Sequence, residues 1–264
     1  MLIFRSLIFA FRQLQIESNT PVIIHASLSS FGQVQGGADT VVGALLATFE
    51  CIVAPAFTYK TMLTPENGPV GNGIIYGSGK DTNRMAEFYR SEMPVDRLIG
   101  AIPETLRRHP KSRRSIHPIL SFTGIHAETI LQAQTLQDPL VPIKILAEQG
   151  GWVALLGVDH TVNTSIHYGE QVAGRKQFTR WALTPQGVVE CPRFPTCSLG
   201  FSAIEPRLKK ITRQVKAGAA LIQAIPLPDL IDVVRSAIAA DPLALLCEQS
   251  DCERCAAVRA DLQK

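Results

Sequence analysis

Apolar residues change their spacing several times along the chain, and each change predicts an element. Val22-Ile-Ile and Cys51-Ile-Val-Ala are short apolar runs rich in β-branched residues and followed by turn formers, the pattern of strands buried on both faces. Between them, Ala38 to Phe49 places its apolar residues three and four apart, as a helix does. A strand, helix, strand unit closes by a right-handed crossover, so these two strands should pair in parallel. Leu140 to Gln149 predicts another helix, ended by Gly150-Gly151, and Trp152-Val-Ala-Leu-Leu-Gly predicts another buried strand. Phe178 to Leu183 and Gly187 to Cys191 flank Thr184-Pro-Gln-Gly and read as a hairpin. Phe201 to Val215 and Leu227 to Ala240 carry helical spacing, the second opened by Pro228-Asp229 and ended before Asp241-Pro242. Together these elements predict an α/β fold, a central mixed, largely parallel sheet with helices on both faces.

Thr58 to Asp96 breaks the pattern. Five glycines and three prolines punctuate it, so it reads as a long loop with at most one short helix. Loops of that length are disproportionately functional, which makes this one a candidate for substrate contacts and a lid. The chain is expected to form a single domain over 1–264, with this loop at about 58–96 and a cysteine-rich tail at about 241–264. The apolar N-terminus is expected to be an amphipathic helix burying Leu2, Leu7 and Phe11. Arg5 and Arg12 interrupt it too early for a membrane span, and it shows no small-residue cleavage site.

Composition narrows the classes. With 46% apolar and 19% charged residues the chain is a globular protein rather than a disordered one. A net charge of +3 is too small for a phosphate-tracking surface, so neither a nucleic acid nor a membrane is expected as a partner, and a cytoplasmic location is. Arg107, Arg108, His109, Lys111, Arg113 and Arg114 form one local basic cluster, which suits a single phosphorylated small molecule or is a solvated turn. Six cysteines in 264 residues do not make a disulfide scaffold. Cys247, Cys252 and Cys255, spaced C-x4-C-x2-C with Cys191 and Cys197 upstream, could hold a structural zinc if a fourth ligand folded in, or could be free thiols.

Three segments carry candidate chemistry, and all three fall near strand ends, where open α/β sheets hold ligands. His25-Ala-Ser-Leu-Ser-Ser-Phe-Gly follows the first strand, and its small residues could turn backbone N–H groups toward a phosphate. Arg113-Arg-Ser-Ile-His-Pro, with Ser121, offers a charged fork and directional donors. Gly157-Val-Asp-His-Thr-Val-Asn-Thr-Ser-Ile-His-Tyr-Gly-Glu follows the Trp152 strand. Asn163 or Thr164 can cap a helix there, which puts His167 and Glu170 on one face, an imidazole and a carboxylate that can hold its tautomer. Either an exposed pair or a general base fits that spacing.

In order along the chain, His25-Ala-Ser-Leu-Ser-Ser-Phe-Gly, Met93-Pro-Val-Asp, Ile102-Pro-Glu-Thr-Leu-Arg, Arg114-Ser-Ile-His-Pro-Ile-Leu-Ser-Phe, Leu156 through Glu170 and Cys197-Ser-Leu-Gly-Phe resemble the aminoglycoside 3-N-acetyltransferase family of antibiotic acetyltransferases. The resemblance spans about His25 to Phe201. It implies an α/β fold distinct from the more common GNAT acetyltransferases, acetyl-CoA as co-substrate, and direct acetyl transfer to an amine, the 3-amino group of an aminoglycoside. By position it implies His167 as general base, Glu170 as its orienting carboxylate, His25 in the same cleft and Thr164 as an oxyanion donor. It further implies Ser27, Leu28, Ser29, Ser30 and Phe31 along the coenzyme path, with Arg113, Arg114, Ser115, His117 and Ser121 completing the coenzyme site. Tyr59, Glu66 and Asp159 are the candidate acceptor contacts. Ala26 departs from the serine usual after the first histidine, and Asp159 from a small or neutral residue. Beyond substrate and acetyl-CoA, at most a second copy of the chain in a homodimer is expected as a partner.

Three other readings stay open: an acetyltransferase for a different amine, a thioesterase or acyltransferase in which Cys191 or Cys197 is the nucleophile and His167 its base, and a catalytically silent coenzyme-binding protein.

Overall fold

The computed structural model describes residues 1–263. Its first half runs α1 (Phe4–Gln13), β1 (Val22–Ala26), α2 (Gly37–Leu46), β2 (Ile52–Pro55), β3 (Met62–Leu63), α3 (Lys80–Arg84), α4 (Ala101–Arg108), β4 (Arg113–Arg114), β5 (Phe122–Ile125) and α5 (Glu128–Gln132). The second half continues with α6 (Val141–Glu148), β6 (Trp152–Leu156), α7 (Thr164–Val172), β7 (Phe178–Thr184), β8 (Gly187–Phe194), α8 (Glu205–Leu208), β9 (Arg213–Ala217), β10 (Ala220–Pro226), α9 (Leu227–Ala240) and α10 (Glu253–Asp261).

A seven-stranded sheet, ordered β4-β5-β2-β1-β6-β10-β9, organises the chain. The three apolar runs read from the sequence are its centre: β1 pairs in parallel with β2 and with β6. The mixed α/β fold is as expected, but parallel pairing is confined to these three strands. Both flanks are antiparallel, β5 and β4 on one side and β10 and β9 on the other. Alternation along the central strands explains the two apolar layers. Ile23, Val53, Val153, Leu155 and Ile225 face one core with α6, α7 and α9, while Val22, Ile24, Ile52, Ala154 and Leu156 face the other with α1, α2 and α4. Each fully buried valine, leucine or isoleucine in these layers contributes roughly 1.5–3 kcal/mol.

Two expectations are corrected. Phe201 to Val215 is not one helix: a short turn and α8 end at Leu208, and Arg213–Ala217 forms the edge strand β9. Gly218, at φ +60°, closes the β9–β10 hairpin, where a side chain would meet the Phe31 carbonyl at 2.6 Å. The exposed polar residues of β9 mask the strand in the sequence and keep the edge soluble. Leu2 precedes α1, half-buried and bridged to Val34, whereas Leu7 and Phe11 are buried as expected. The predicted 184–187 hairpin is present between β7 and β8, and the long loop contributes β3 to that second, three-stranded sheet.

Candidate active site

A cleft of about 670 Å³ opens where the C-terminal ends of β1, β2 and β6 converge. This is the place at which open α/β sheets present their ligands. β1 delivers His25, followed by Ser27, Leu28 and Ser29, and the chain beyond β2 delivers Phe57 and Tyr59. The turn after β6 delivers Val158 and Thr161 to Thr164, with His167 from α7. The facing wall consists of the 97–101 segment that enters α4, Phe194 to Thr196 with Ser198 and Leu199 from the chain leaving β8, and Arg254 of α10.

Local chemistry explains how His167 reaches this place. Gly157 has φ +70°, and a side chain there would lie 2.5 Å from Ser30 Cβ, so glycine lets the loops after β1 and β6 close on each other. Asp159 caps the following turn by accepting from the Thr161 amide at 2.9 Å, and Asn163 caps α7 by accepting from the Ser165 amide at 3.1 Å. The helix therefore starts at the cleft, with Thr164 in its wall and His167 less than one turn in.

His167 Nδ1 lies 2.9 Å from Glu170 Oε2, and Glu170 is fully buried. The carboxylate also accepts from Thr196 Oγ1 and, at 3.0 Å, from Arg175 Nη1. Arg175 in turn donates to the carbonyls of Ala244 and Pro242 at 2.9 Å each. On its other side the imidazole meets Phe201 edge to face, with ring centres 4.7 Å apart. With the carboxylate accepting, Nδ1 carries the proton and Nε2 carries the lone pair. Two further imidazoles sit close by. Burial, with the neighbouring histidines adding to it, depresses His25 to about 3, and burial depresses His160 to about 4, so both are neutral near pH 7. His160 Nδ1 is 3.2 Å from Asn163 Nδ2, and His25 Nε2 has no hydrogen-bond partner within the protein.

His25, Ser27, Leu28, Ser29, Tyr59, Thr164 and His167 thus meet at one cleft with Glu170 directly behind, as the sequence spacing suggested they could. Other expected site residues do not reach it. Phe31 is core and Ser30 packs under Gly157. Arg113, Arg114, Ser115, His117 and Ser121, expected at the coenzyme, do not line this cleft, and apart from the exposed Arg113 and the unpartnered His117 Nε2 their polar groups bond within the protein. Arg114 donates to Ser121 Oγ at 3.0 Å and to the carbonyls of Ser91, Met93 and Ala56. Ser121 donates to the Ala56 carbonyl, Ser115 to Gln134, and His117 Nδ1 accepts from the amides of Ile119 and Leu120. Arg113 lies exposed on edge strand β4 and donates to the Ser112 carbonyl. Glu66 is exposed outside the cleft, and Asp159 is a cap.

Sequence reasoning missed Arg175, Thr196, Phe201, Arg254, Phe57, Arg97 and His160. Of these, His160 and Phe201 lie inside the ordered motifs, in Leu156 through Glu170 and in Cys197-Ser-Leu-Gly-Phe, whereas the others come from segments with no local signature. Neither Cys191 nor Cys197 lines the cleft. Burial pushes the Cys191 thiol up to about 12, the wrong direction for a nucleophile, while Cys197 joins Cys247, Cys252 and Cys255 in a thiol cluster. Among the described residues no helix is long and apolar enough to cross a membrane.

Known proteins share this architecture. The aminoglycoside N(3)-acetyltransferase III of Salmonella sp is 30% identical over 171 residues, which is 62% of this chain and 58% of that protein, so the matched region spans under two thirds of the relative's length. The crystal structure of the AAC(3)-IVa apoenzyme superposes with a TM-score of 0.79 at 23% identity, covering 98% of this chain and 97% of the other. The YokD protein from Bacillus subtilis superposes with a TM-score of 0.76 at 25% identity, covering 88% and 97%. The family described as aminoglycoside 3-N-acetyltransferase matches residues 23–239. With its ordered motifs, its fold and a family match over most of its length, the chain belongs to the aminoglycoside 3-N-acetyltransferase family.

Proposed function

We propose that the protein transfers the acetyl group of acetyl-CoA directly to an amine, the 3-amino group of an aminoglycoside, with His167 as general base. The observation that carries this reading is the His167–Glu170 pair in the wall of a cleft built on three parallel strand ends. An ammonium has no lone pair, so the acceptor must lose a proton to attack. From the neutral amine left after that loss to solvent, His167 Nε2 takes a second proton as the nitrogen bonds to the thioester carbon, help typically worth about 10²- to 10⁴-fold. Thr164, in the cleft wall at the start of α7, stabilises the oxyanion that develops. Collapse breaks the carbon–sulfur bond, and the departing thiolate takes the proton from His167 to give CoA and an amide. His25, neutral and short of a partner at Nε2, faces the same centre. Ser27, Leu28 and Ser29 line the path of the coenzyme, and Arg97 at the mouth supplies charge to its phosphates.

One observation favours a second reading of the acceptor. No aspartate or glutamate is among the described residues lining the cleft, whereas Arg97 and Arg254 are. A polycation gains from carboxylates in its site. An amine carrying little other positive charge suits this lining better, with the same chemistry at His167.

A CoA-release assay across aminoglycosides and singly charged amines, with NMR of the products, tests both. Acetylation of an aminoglycoside at its 3-amino group supports the first reading. Turnover confined to weakly cationic amines supports the second, and CoA release with no amine in the panel overturns both.

A further inference from the structure

Away from His167, the densest reactive cluster is made of thiols. Cys197 comes from the turn after β8, Cys247 from the chain after α9, and Cys252 and Cys255 from the start of α10. Their four sulfur atoms all lie within 4.8 Å of one another, and three of the four residues are buried. All are free thiols, and Cys247 Sγ is 3.5 Å from Cys255 Sγ, far beyond the roughly 2.05 Å of a disulfide. Four thiolates each about 2.3 Å from a tetrahedral zinc stand about 3.8 Å apart, which falls inside this spread.

The surrounding fold brings the thiols together. Gly200 lets the Cys197 turn press onto the backbone at Leu245 and Leu246, where a side chain would meet their carbonyl oxygens at 2.5 and 2.7 Å. The C-x2-C spacing at the start of α10 is the spacing of structural zinc sites. α10 itself buries only Cys255 and Val258, too little apolar surface to hold a nine-residue helix in place by packing. Arg259 donates to the Cys247 carbonyl and Arg254 to the Thr196 carbonyl, so two cations flank the sulfurs. Their charge offsets that of four thiolates around a divalent ion.

We propose that Cys197, Cys247, Cys252 and Cys255 form a structural zinc site that positions the catalytic wall of the cleft. On binding, each thiol releases its proton to solvent and donates a sulfur lone pair to the ion. Cys197 adjoins Thr196, the donor to Glu170, and lies four residues before Phe201, which meets His167 edge to face. Arg254, between two of the ligands, binds the Thr196 carbonyl and lines the cleft. The ion therefore fixes the segment behind Glu170 from outside the cleft. The metal site stands on the sulfurs alone, and only its positioning role rests on the reading of His167 as base.

Metal analysis of the full chain, purified under reducing conditions without chelator, should give one zinc per chain, and Cys255→Ser or Cys252→Ser should lower that content. Chelator-treated wild type should take up one cobalt(II) and show the thiolate charge-transfer absorption of a tetrahedral sulfur site, a readout that needs no turnover and no variant. Zinc removal should lower kcat by about 10- to 100-fold through sub-ångström displacement of the base, shift the pH–rate profile, and be reversed by zinc. Negligible zinc together with no cobalt uptake overturns the site, as does stoichiometric iron in place of zinc. Stoichiometric zinc whose removal leaves kcat and the pH profile unchanged overturns the positioning role and leaves the metal site and the His167 reading intact.

Discussion

Replacing Glu170 by glutamine tests the arrangement around the base with almost no change in shape. Three donors converge on this carboxylate: His167 Nδ1–H, Thr196 Oγ1 and Arg175 Nη1. A glutamine amide offers one acceptor oxygen and two donor hydrogens, so in either orientation its nitrogen faces at least one donor. The change also strips Arg175, whose side chain is 2% exposed, of its counter-charge. Breaking a buried ion pair by removing one partner costs about 3–5 kcal/mol. That is a large part of the roughly 5–15 kcal/mol by which such a chain is stable, and for a chain of this size it lowers Tm by roughly 6–20 °C. Turnover should fall as well, by about 10²- to 10⁴-fold, because the imidazole loses the group that fixes its tautomer. Urea unfolding followed by circular dichroism measures the first effect and initial rates of CoA release the second. Adding Arg175→Met to Glu170→Gln should recover at least about 1 kcal/mol relative to the sum of the single losses. A Glu170→Gln protein within about 0.5 kcal/mol of wild type, with undiminished kcat, would show that the carboxylate neither balances Arg175 nor orients His167.

Three other consequences follow from particular residues. Burial depresses His25 to about 3 and His117 and His160 to about 4, so the unfolded chain binds more protons than the folded one from those values up to about 6.5. Stability should therefore be full above that range and fall with acidification, by about 2 kcal/mol per histidine at pH 5 relative to pH 7, and flat stability from pH 7 to 5 in urea titrations would contradict it. Gly157→Ala places a methyl group against Ser30 at a backbone angle that favours glycine, so it should lower Tm by several degrees and lower activity, and an unaltered Tm would show that the loops do not need this close approach. Arg114→Met removes donors to Ser121 and three carbonyls but touches no cleft group, so it should destabilise the fold while leaving KM for acetyl-CoA unchanged; a raised KM at unchanged stability would restore Arg114 to the coenzyme site.

Elements with a strong local signal were legible from the sequence. The central strands are apolar on both faces, α2, α6 and α9 show clear spacing, and Thr184 to Gly187 punctuates a hairpin. The His167–Glu170 pair was legible for the same reason, since a helical offset of three places two side chains together whatever the rest of the fold does. What escaped depends on long-range pairing. The two-residue strand β4 gains its identity only from β5, and the polar face of β9 mimics a helix until Gly218 turns it back onto β10. Arg114 has the chemistry of a phosphate ligand, and only the fold reveals that backbone carbonyls have claimed its donors. Thr196 and Arg175 reach Glu170 from outside its helix, and Cys197 reaches three cysteines about fifty residues downstream; no periodicity records such meetings.

In the proposed reaction the His167 imidazole removes the proton from the attacking amine. The most direct test of that step is the turnover of a His167→Ala protein with acetyl-CoA and the best acceptor found for the wild type, alongside calorimetric titration of CoA into the same preparation. The variant should lose about 10²- to 10⁴-fold in kcat and keep its CoA affinity. Turnover close to that of the wild type would contradict it.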